Sequence, residues 1–179
     1  MKKFLVLFII ATSASLPVFA SQGSSEDAKV IGEFSVPVPI EGGPVWVTIL
    51  TDRTVSAMWR DAPANDWIRF NATMTGLTLS VMGIATKDFV LAPEYSIEQG
   101  GTTSLGQAIN IRNLSGGEVK RGDSILGLVA FKNKIDLSKP FILNFGGCRV
   151  DVVLNRDEVK KWGTLSIPEQ LGSSVLSKY

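Results

Sequence analysis

Apolar and polar positions alternate along much of the chain from Val30 to Ile167, in short runs separated by Gly, Pro, Asn or Asp. Runs of this kind, rich in Val, Ile, Thr, Phe and Trp, read as strands. The pattern predicts a first strand over Val30–Val38, with Pro37 and Pro39 marking an edge or an irregular exit. Val45–Leu50 is the second, and alternation there turns Trp46 away from Val45 and Val47. Thr51-Asp52-Arg53 can turn the chain into a third run, Thr54–Arg60, and Ala62–Asn65 turns it again into Trp67–Asn71. Leu77, Leu79 and Val81 alternate with Thr78 and Ser80, the mark of a half-buried strand. Further strands are expected at Phe89–Leu91, Tyr95–Ile97, Ala108–Asn113, Glu118–Arg121, Ile125–Lys132, Phe141–Phe145 and Cys148–Leu154. Ser115-Gly116-Gly117 reads as the turn of a hairpin between Ala108–Asn113 and Glu118–Arg121. Gln99–Ser104 reads as a polar loop, and Cys148, Val150, Val152 and Leu154 share one face.

The one clear helix signal lies at Asn155–Trp162. Asn155 is a capping residue with Glu158 three positions on, acids fill the first turn and bases the last, and Gly163 ends it. Many short strands with turn signals every 8–12 residues or so point to an all-β protein. The expected architecture is a single-domain antiparallel β-sandwich with one short helix near the C-terminus. A barrel-like variant is the alternative; the sandwich is preferred because Pro37, Pro39, Pro44 and Pro93 interrupt what barrel closure would keep continuous.

The chain ends divide off by composition. Met1-Lys2-Lys3 precedes a mostly apolar stretch from Phe4, Ser15-Leu16-Pro17 breaks it, and Val18 and Ala20 occupy the positions a signal peptidase reads. Residues 1–20 therefore read as a secretory signal peptide, too short for a comfortable membrane span. No cysteine stands directly after it, where Ser21 is found, which argues against a lipid anchor. Residues 21–29 read as a flexible leader, 30–167 as the β domain and 168–179 as a polar tail. The short Lys-Lys start is of bacterial type, so the expected location is periplasmic or secreted, with no stable membrane span after cleavage.

Charge and composition then narrow the chemistry. Lys and Arg number 18, Asp and Glu 17. Loss of Lys2 and Lys3 with the signal leaves 16 bases against 17 acids, a formal charge of −1, and no basic excess that would favour nucleic acid. With no histidine and one cysteine, a Ser-His-Asp triad, a Cys-His pair, a histidine metal site and a four-ligand structural zinc site all fall away. Gly-x-Ser-x-Gly, P-loop, dinucleotide and Ser-x-x-Lys motifs are missing too. No metal or cofactor is expected. Cys148, in an apolar run, reads as a small buried hydrophobe rather than a reactive thiol or a bridge to another chain.

Two groups of residues still carry possible chemistry. Asp61 with Asp66, or Glu94 with Glu98, are carboxylate pairs of the type a glycosidase needs, and Asp61, Asn65 and Asp66 could form an irregular calcium site. The ordinary reading of all these acids is solvated charge. Trp59–Phe70 is near-symmetric about a turn, Trp-Arg-Asp on one side and Asp-Trp-Ile-Arg on the other. Read as a hairpin with the loop at Ala62–Ala64, it sets Trp59 opposite Trp67. Trp59, Arg60, Trp67 and Arg69 are thus the candidate contact patch, being of the residue types that dominate binding hot spots; the alternative places both tryptophans in the core.

The expected function is a non-enzymatic, exported binding protein of the cell envelope that recognises another envelope or secreted protein. The alternatives are a glycan-binding or glycan-cleaving protein, with the tryptophans as a stacking platform, and a structural surface or appendage subunit that self-associates.

Overall fold

The computed structural model describes residues 24–59 and 76–165. Among them, three helices and ten strands follow in the order α1 (Ser25–Glu33), β1 (Ser35–Ile40), β2 (Gly43–Ile49), α2 (Asp52–Met58), β3 (Leu77–Ile84), β4 (Phe89–Leu91), β5 (Tyr95–Gln99), β6 (Thr102–Arg112), β7 (Gly117–Val119), β8 (Ser124–Phe131), β9 (Phe141–Phe145), β10 (Cys148–Val152) and α3 (Arg156–Trp162). Eight strands form one antiparallel sheet in the order β1-β2-β3-β8-β6-β5-β9-β10, while β4 and β7 pair separately as a short ribbon. The large sheet curls until β10 approaches β1, so the barrel is nearly closed. The protein is thus all-β and antiparallel with a short C-terminal helix, as expected, in its barrel-like form.

Alternation fills the interior. Val38 and Ile40 of β1, Val45, Val47 and Ile49 of β2, Leu79 and Val81 of β3, Ile97 of β5, Ile125, Val129 and Phe131 of β8, and Phe141, Leu143 and Phe145 of β9 all point inward and are buried. On β6 the inward positions shrink to Ser104, Gly106 and Ala108, leaving room for Phe131, the register partner of Gly106. Val30 and Phe34 bring α1 into the same core, and Leu91, Leu114 and Val119 close it from the β4–β7 region. A second, smaller cluster lies on the outer side of the sheet, where Leu50, Val55 and Leu128 pack with Met58, Trp59, Ile109 and Leu165.

Four local expectations are corrected. Residues 25–29, expected in a flexible leader, and Val30–Glu33, expected in a strand, form α1. Ser24 and Asp27 make a reciprocal capping box (Ser24 N to Asp27 Oδ2 3.1 Å, Asp27 N to Ser24 Oγ 3.2 Å), and Val30 and Phe34, four residues apart, bury on one side. Thr54–Met58, expected in a strand, is helical in α2. The Thr54 hydroxyl accepts from Thr51 N at 2.7 Å, Thr54 N donates back to Thr51 Oγ1 at 3.2 Å, and Asp52 sits favourably in the first turn. The polar loop at Gln99–Ser104 is only a turn at Gly100-Gly101, both with positive φ; Thr102–Ser104 already belong to β6. The segments on either side of Ser115–Gly117 do not pair with each other, because β6 joins β8 and β5 while β7 joins β4.

The C-terminal helix forms where its charges predict. Asn155 Oδ1 accepts from Asp157 N at 3.0 Å and the helix ends at Gly163, while Glu158 reaches out to Lys29 of α1 instead of back to the cap (3.1 Å). Trp162 packs its ring against the main core, as an anchor for a short helix should.

Tyr95 provides a test of the packing. It is 4 % exposed, stacks at a tilt on Phe145 (centroids 4.7 Å apart) and donates its hydroxyl to Leu114 O at 2.6 Å. Burial pushes its phenol up to about 12 from an ordinary 10. The folded state therefore holds the proton more tightly than the unfolded one. The associated stability is intact below pH 10 and is lost as pH rises towards 12. Tyr95→Phe is expected to cost about 1 kcal/mol at neutral pH through loss of the buried hydroxyl–carbonyl hydrogen bond. It should also flatten the alkaline limb of the stability curve, measured by denaturant titration between pH 9 and pH 12.

Candidate functional site

Of the predicted contact patch, Trp59 is placed and the rest is not: Arg60, Trp67 and Arg69 lie outside the described residues, as do Asp61, Asn65 and Asp66. Trp59 follows directly on α2, and the hairpin expected beyond it lies outside the described residues. This tryptophan caps the C-terminal end of α2, its backbone N–H bonds Val55 O at 2.9 Å, and its half-buried side chain joins the outer cluster with Leu50 and Leu128.

The carboxylate pair at Glu94 and Glu98 is not arranged for bond cleavage. Four residues along an extended strand span about 13 Å, beyond the roughly 5–10 Å that glycoside hydrolysis uses. Glu98 is moreover engaged on both oxygens: Oε1 accepts from Asn144 Nδ2 and Arg149 NH1, each at 2.8 Å, and Oε2 accepts from Arg149 NH2 at 3.1 Å. The Asn144 amide and then the Arg149 guanidinium lower its pKa, the wrong direction for a general acid. Among the described residues, no three His, Cys, Asp or Glu side chains come together as a metal-binding group.

A cleft of about 960 Å³ opens at the helix end of the barrel, floored by Leu50, Leu77, Leu137 and Val159. Its Gln99 and Asp136 serve the fold. Gln99 Oε1 accepts from Asp136 N (2.9 Å) and its Nε2 donates to Asp136 O (2.8 Å), clamping the β8–β9 connection as a strand neighbour would. Asp136 in turn holds Ser138 and Lys139, and those bonds bring its carboxyl down to about 2.

The outer face of β1, β2, β3 and β8 carries a different arrangement. Since Val45, Val47, Val81 and Ile125 point inward, their neighbours Trp46, Met82 and Leu126 point outward. Register sets these in one row across the sheet: Pro37 opposite Trp46, Trp46 opposite Met82, Met82 opposite Leu126, Leu126 opposite Arg112. Register partners on one face have Cβ atoms about 5 Å apart. Arg112 reaches the row through a bulge in β6 after Asn110; the chain then turns at Asn113 (φ 55°), whose amide donates to Ser124 O at 2.9 Å. Pro44 and Ile84, the latter 64 % exposed, extend the apolar strip by one row. One row the other way the surface changes character: Ser35 and Thr48 hydrogen-bond to each other at 2.7 Å, and Thr48 and Ser80 are buried.

The row therefore combines Trp, Met, Leu and Arg on a rigid sheet, with Trp46, Met82 and Leu126 half-buried and Pro37 and Arg112 exposed. Arg112 makes no ion pair with a described residue. Trp, Met and Arg are the types enriched at protein interfaces. Sequence reading turned Trp46 outward but gave it no companions; Met82 and Leu126 join it only through strand order. Comparison with protein-family models, with curated proteins and with solved structures returned no match.

Proposed function

We propose that this is an exported, non-enzymatic protein of the cell envelope that binds another protein through the outer face of its barrel. The observation that carries the reading is the row Trp46–Met82–Leu126 ending at Arg112, on a sheet whose inner face is already packed. A filled interior leaves the outer surface for recognition. Large side chains held on adjacent strands lose little conformational freedom when a partner covers them, which is what makes a hot spot effective. Export rests on the first twenty residues: a basic start, an apolar core and small residues at the cleavage positions.

The test is site-specific photocrosslinking in native envelope extract, with the probe at Met82 and, as control, at the exposed Leu105 at the opposite end of β6 from Arg112. A discrete protein adduct at Met82 only, weakened at least tenfold by Trp46→Ala, is the expected result. That factor corresponds to about 1.4 kcal/mol, within the range of interface hot spots. Equal labelling at both positions, or no effect of Trp46→Ala, would overturn the assignment. Retention of glycan in place of protein, with Trp46 fluorescence changing on sugar addition, would favour the glycan-binding alternative; adducts only with itself would favour a structural subunit.

A further inference from the structure

A bulge in β6 decides what stands at the end of the Trp46 row. Along the strand before it, Gln107 and Ile109 turn outward, while Ala108 packs on the main core. Unbroken alternation from there would turn Arg112 inward, towards the apolar interior. A guanidinium buried without a partner is costly. The register shift between Asn110 and Arg112 adds one residue and brings Arg112 opposite Leu126 on the outer face, where it is exposed. Re-aiming a side chain is a recurrent use of such bulges. The irregularity is also pinned. Asn113, next in the chain, is the one non-glycine residue with a positive φ among the described residues, and its amide donates across the ladder to Ser124 O at 2.9 Å.

The side chain so placed is the one charge in the row. Its register partner Leu126 is apolar, as are Met82 and Trp46 beyond, and the next row brings Ile84 opposite Ser124. Lys120 and Arg149 each lie against carboxylates of their own chain, whereas Arg112 has no ion pair with a described residue. We infer that Arg112 is the specificity-determining residue of this face, and that the partner brings an aspartate or glutamate to it. The inference rests on the row being a protein contact and names what that partner must carry. Neighbouring strands lie about 4.8 Å apart, so Arg112 on β6 stands three strand spacings, about 14 Å, from Trp46 on β2. The partner therefore presents an apolar patch to Trp46, Met82 and Leu126, with a carboxylate about 14 Å from the part that covers Trp46. Once covered, the guanidinium fork meets that carboxylate through two parallel hydrogen bonds, away from bulk water, where a charge pair counts for more than on an open surface. A protein with a lysine at that point would leave two cations facing each other and is rejected.

The experiment extends the Met82 photocrosslink in native envelope extract. Arg112→Glu reverses the charge and should lower the yield of the Met82 adduct by about tenfold or more, with the Tm unchanged because the side chain is exposed. Arg112→Gln should lower it by less, and it serves as the comparison where the reversal disturbs the bulge. Arg112→Lys keeps a charge and supplies an amine. A carbodiimide, which takes up the water released as amine and carboxyl join in an amide, should then give a zero-length cross-link from position 112. Mass spectrometry should locate its other end at an aspartate or glutamate of the same protein that Met82 captures. Added salt should weaken capture by the wild type more than by Arg112→Gln. An undiminished Met82 adduct in both Arg112→Glu and Arg112→Gln, or no cross-link from position 112 to a carboxylate while the Met82 adduct forms, overturns the inference and leaves the row an apolar contact. Insensitivity of the adduct to Trp46→Ala, or no protein adduct at Met82, overturns the reading of the row and the inference with it. Vesicles of phosphatidylglycerol form the last arm: co-sedimentation of the wild type that is lost in Arg112→Glu, without a protein adduct, would assign Arg112 to lipid phosphate and overturn the carboxylate.

Discussion

Phe131→Ala is expected to cost about 3–5 kcal/mol, the range for removing a fully buried aromatic side chain. Phe131 is 0 % exposed at the end of β8, with Leu77 as register partner on one side and Gly106 on the other. The small inward residues of β6 exist to accept it: a Cβ on Gly106 would stand 2.8 Å from the Phe131 ring and 2.7 Å from Val129 Cγ1. The neighbours belong to ladders on both sides and cannot collapse into the space, so the cavity term is retained. A Tm lower by on the order of 10 °C should follow. The reverse experiment, Gly106→Val, is expected to cost about 1–3 kcal/mol by overpacking. The two together should cost less than their sum, since the valine partly refills what the ring vacates. Denaturant titration of the four proteins gives the coupling; strict additivity would show that the two positions do not share this volume.

How far such relations can be read from the chain depends on the distance they span. Val45, Trp46 and Val47 could be assigned faces from local alternation, because period-two geometry needs no knowledge of the neighbours. Cys148, Val150 and Val152 could be placed on one face for the same reason. The companions of Trp46 could not. Met82 and Leu126 meet it only because β8 crosses back to lie beside β3, and nothing near Leu126 records that pairing. The two missed helices have another cause. Thr54 and Val55 are β-branched and favour a strand locally, yet the Thr51–Thr54 capping box and the complete burial of Val55 decide for a helix. Pro37 and Pro39 were legible as an obstacle to closure. The sheet meets that obstacle by curling into a barrel and leaving the obstructed edge unpaired, which is where prolines are tolerated.

Arg53→Met is expected to cost about 2–3 kcal/mol, as befits a charged hydrogen bond removed from a mostly buried partner. The three helices cover one end of the barrel, and Arg53 of α2 is where they meet. Its NH1 lies 2.8 Å from Asp27 Oδ1 of α1 and its NH2 3.7 Å from Glu26, while its guanidinium lies 5.7 Å from the ring centre of Trp162 on α3. The Asp27 side chain is only 8 % exposed, so water cannot replace the lost charge. Methionine keeps much of the contact with Trp162, which isolates the electrostatic part of the loss. Asp27→Asn removes the charge that Arg53 answers, and in that background Arg53→Met should cost at least 1 kcal/mol less, a coupling typical of charged neighbours. The contrast is Lys29→Met, which breaks the exposed pair to Glu158 and should leave stability unchanged within error. Hydrogen exchange locates the effect: the amides of α1 should lose protection in Arg53→Met while those of β8 and β9 keep theirs. Equal loss across the barrel would mean that the helices and the sheet unfold as one unit, and that Arg53 stabilises the whole domain rather than its cap.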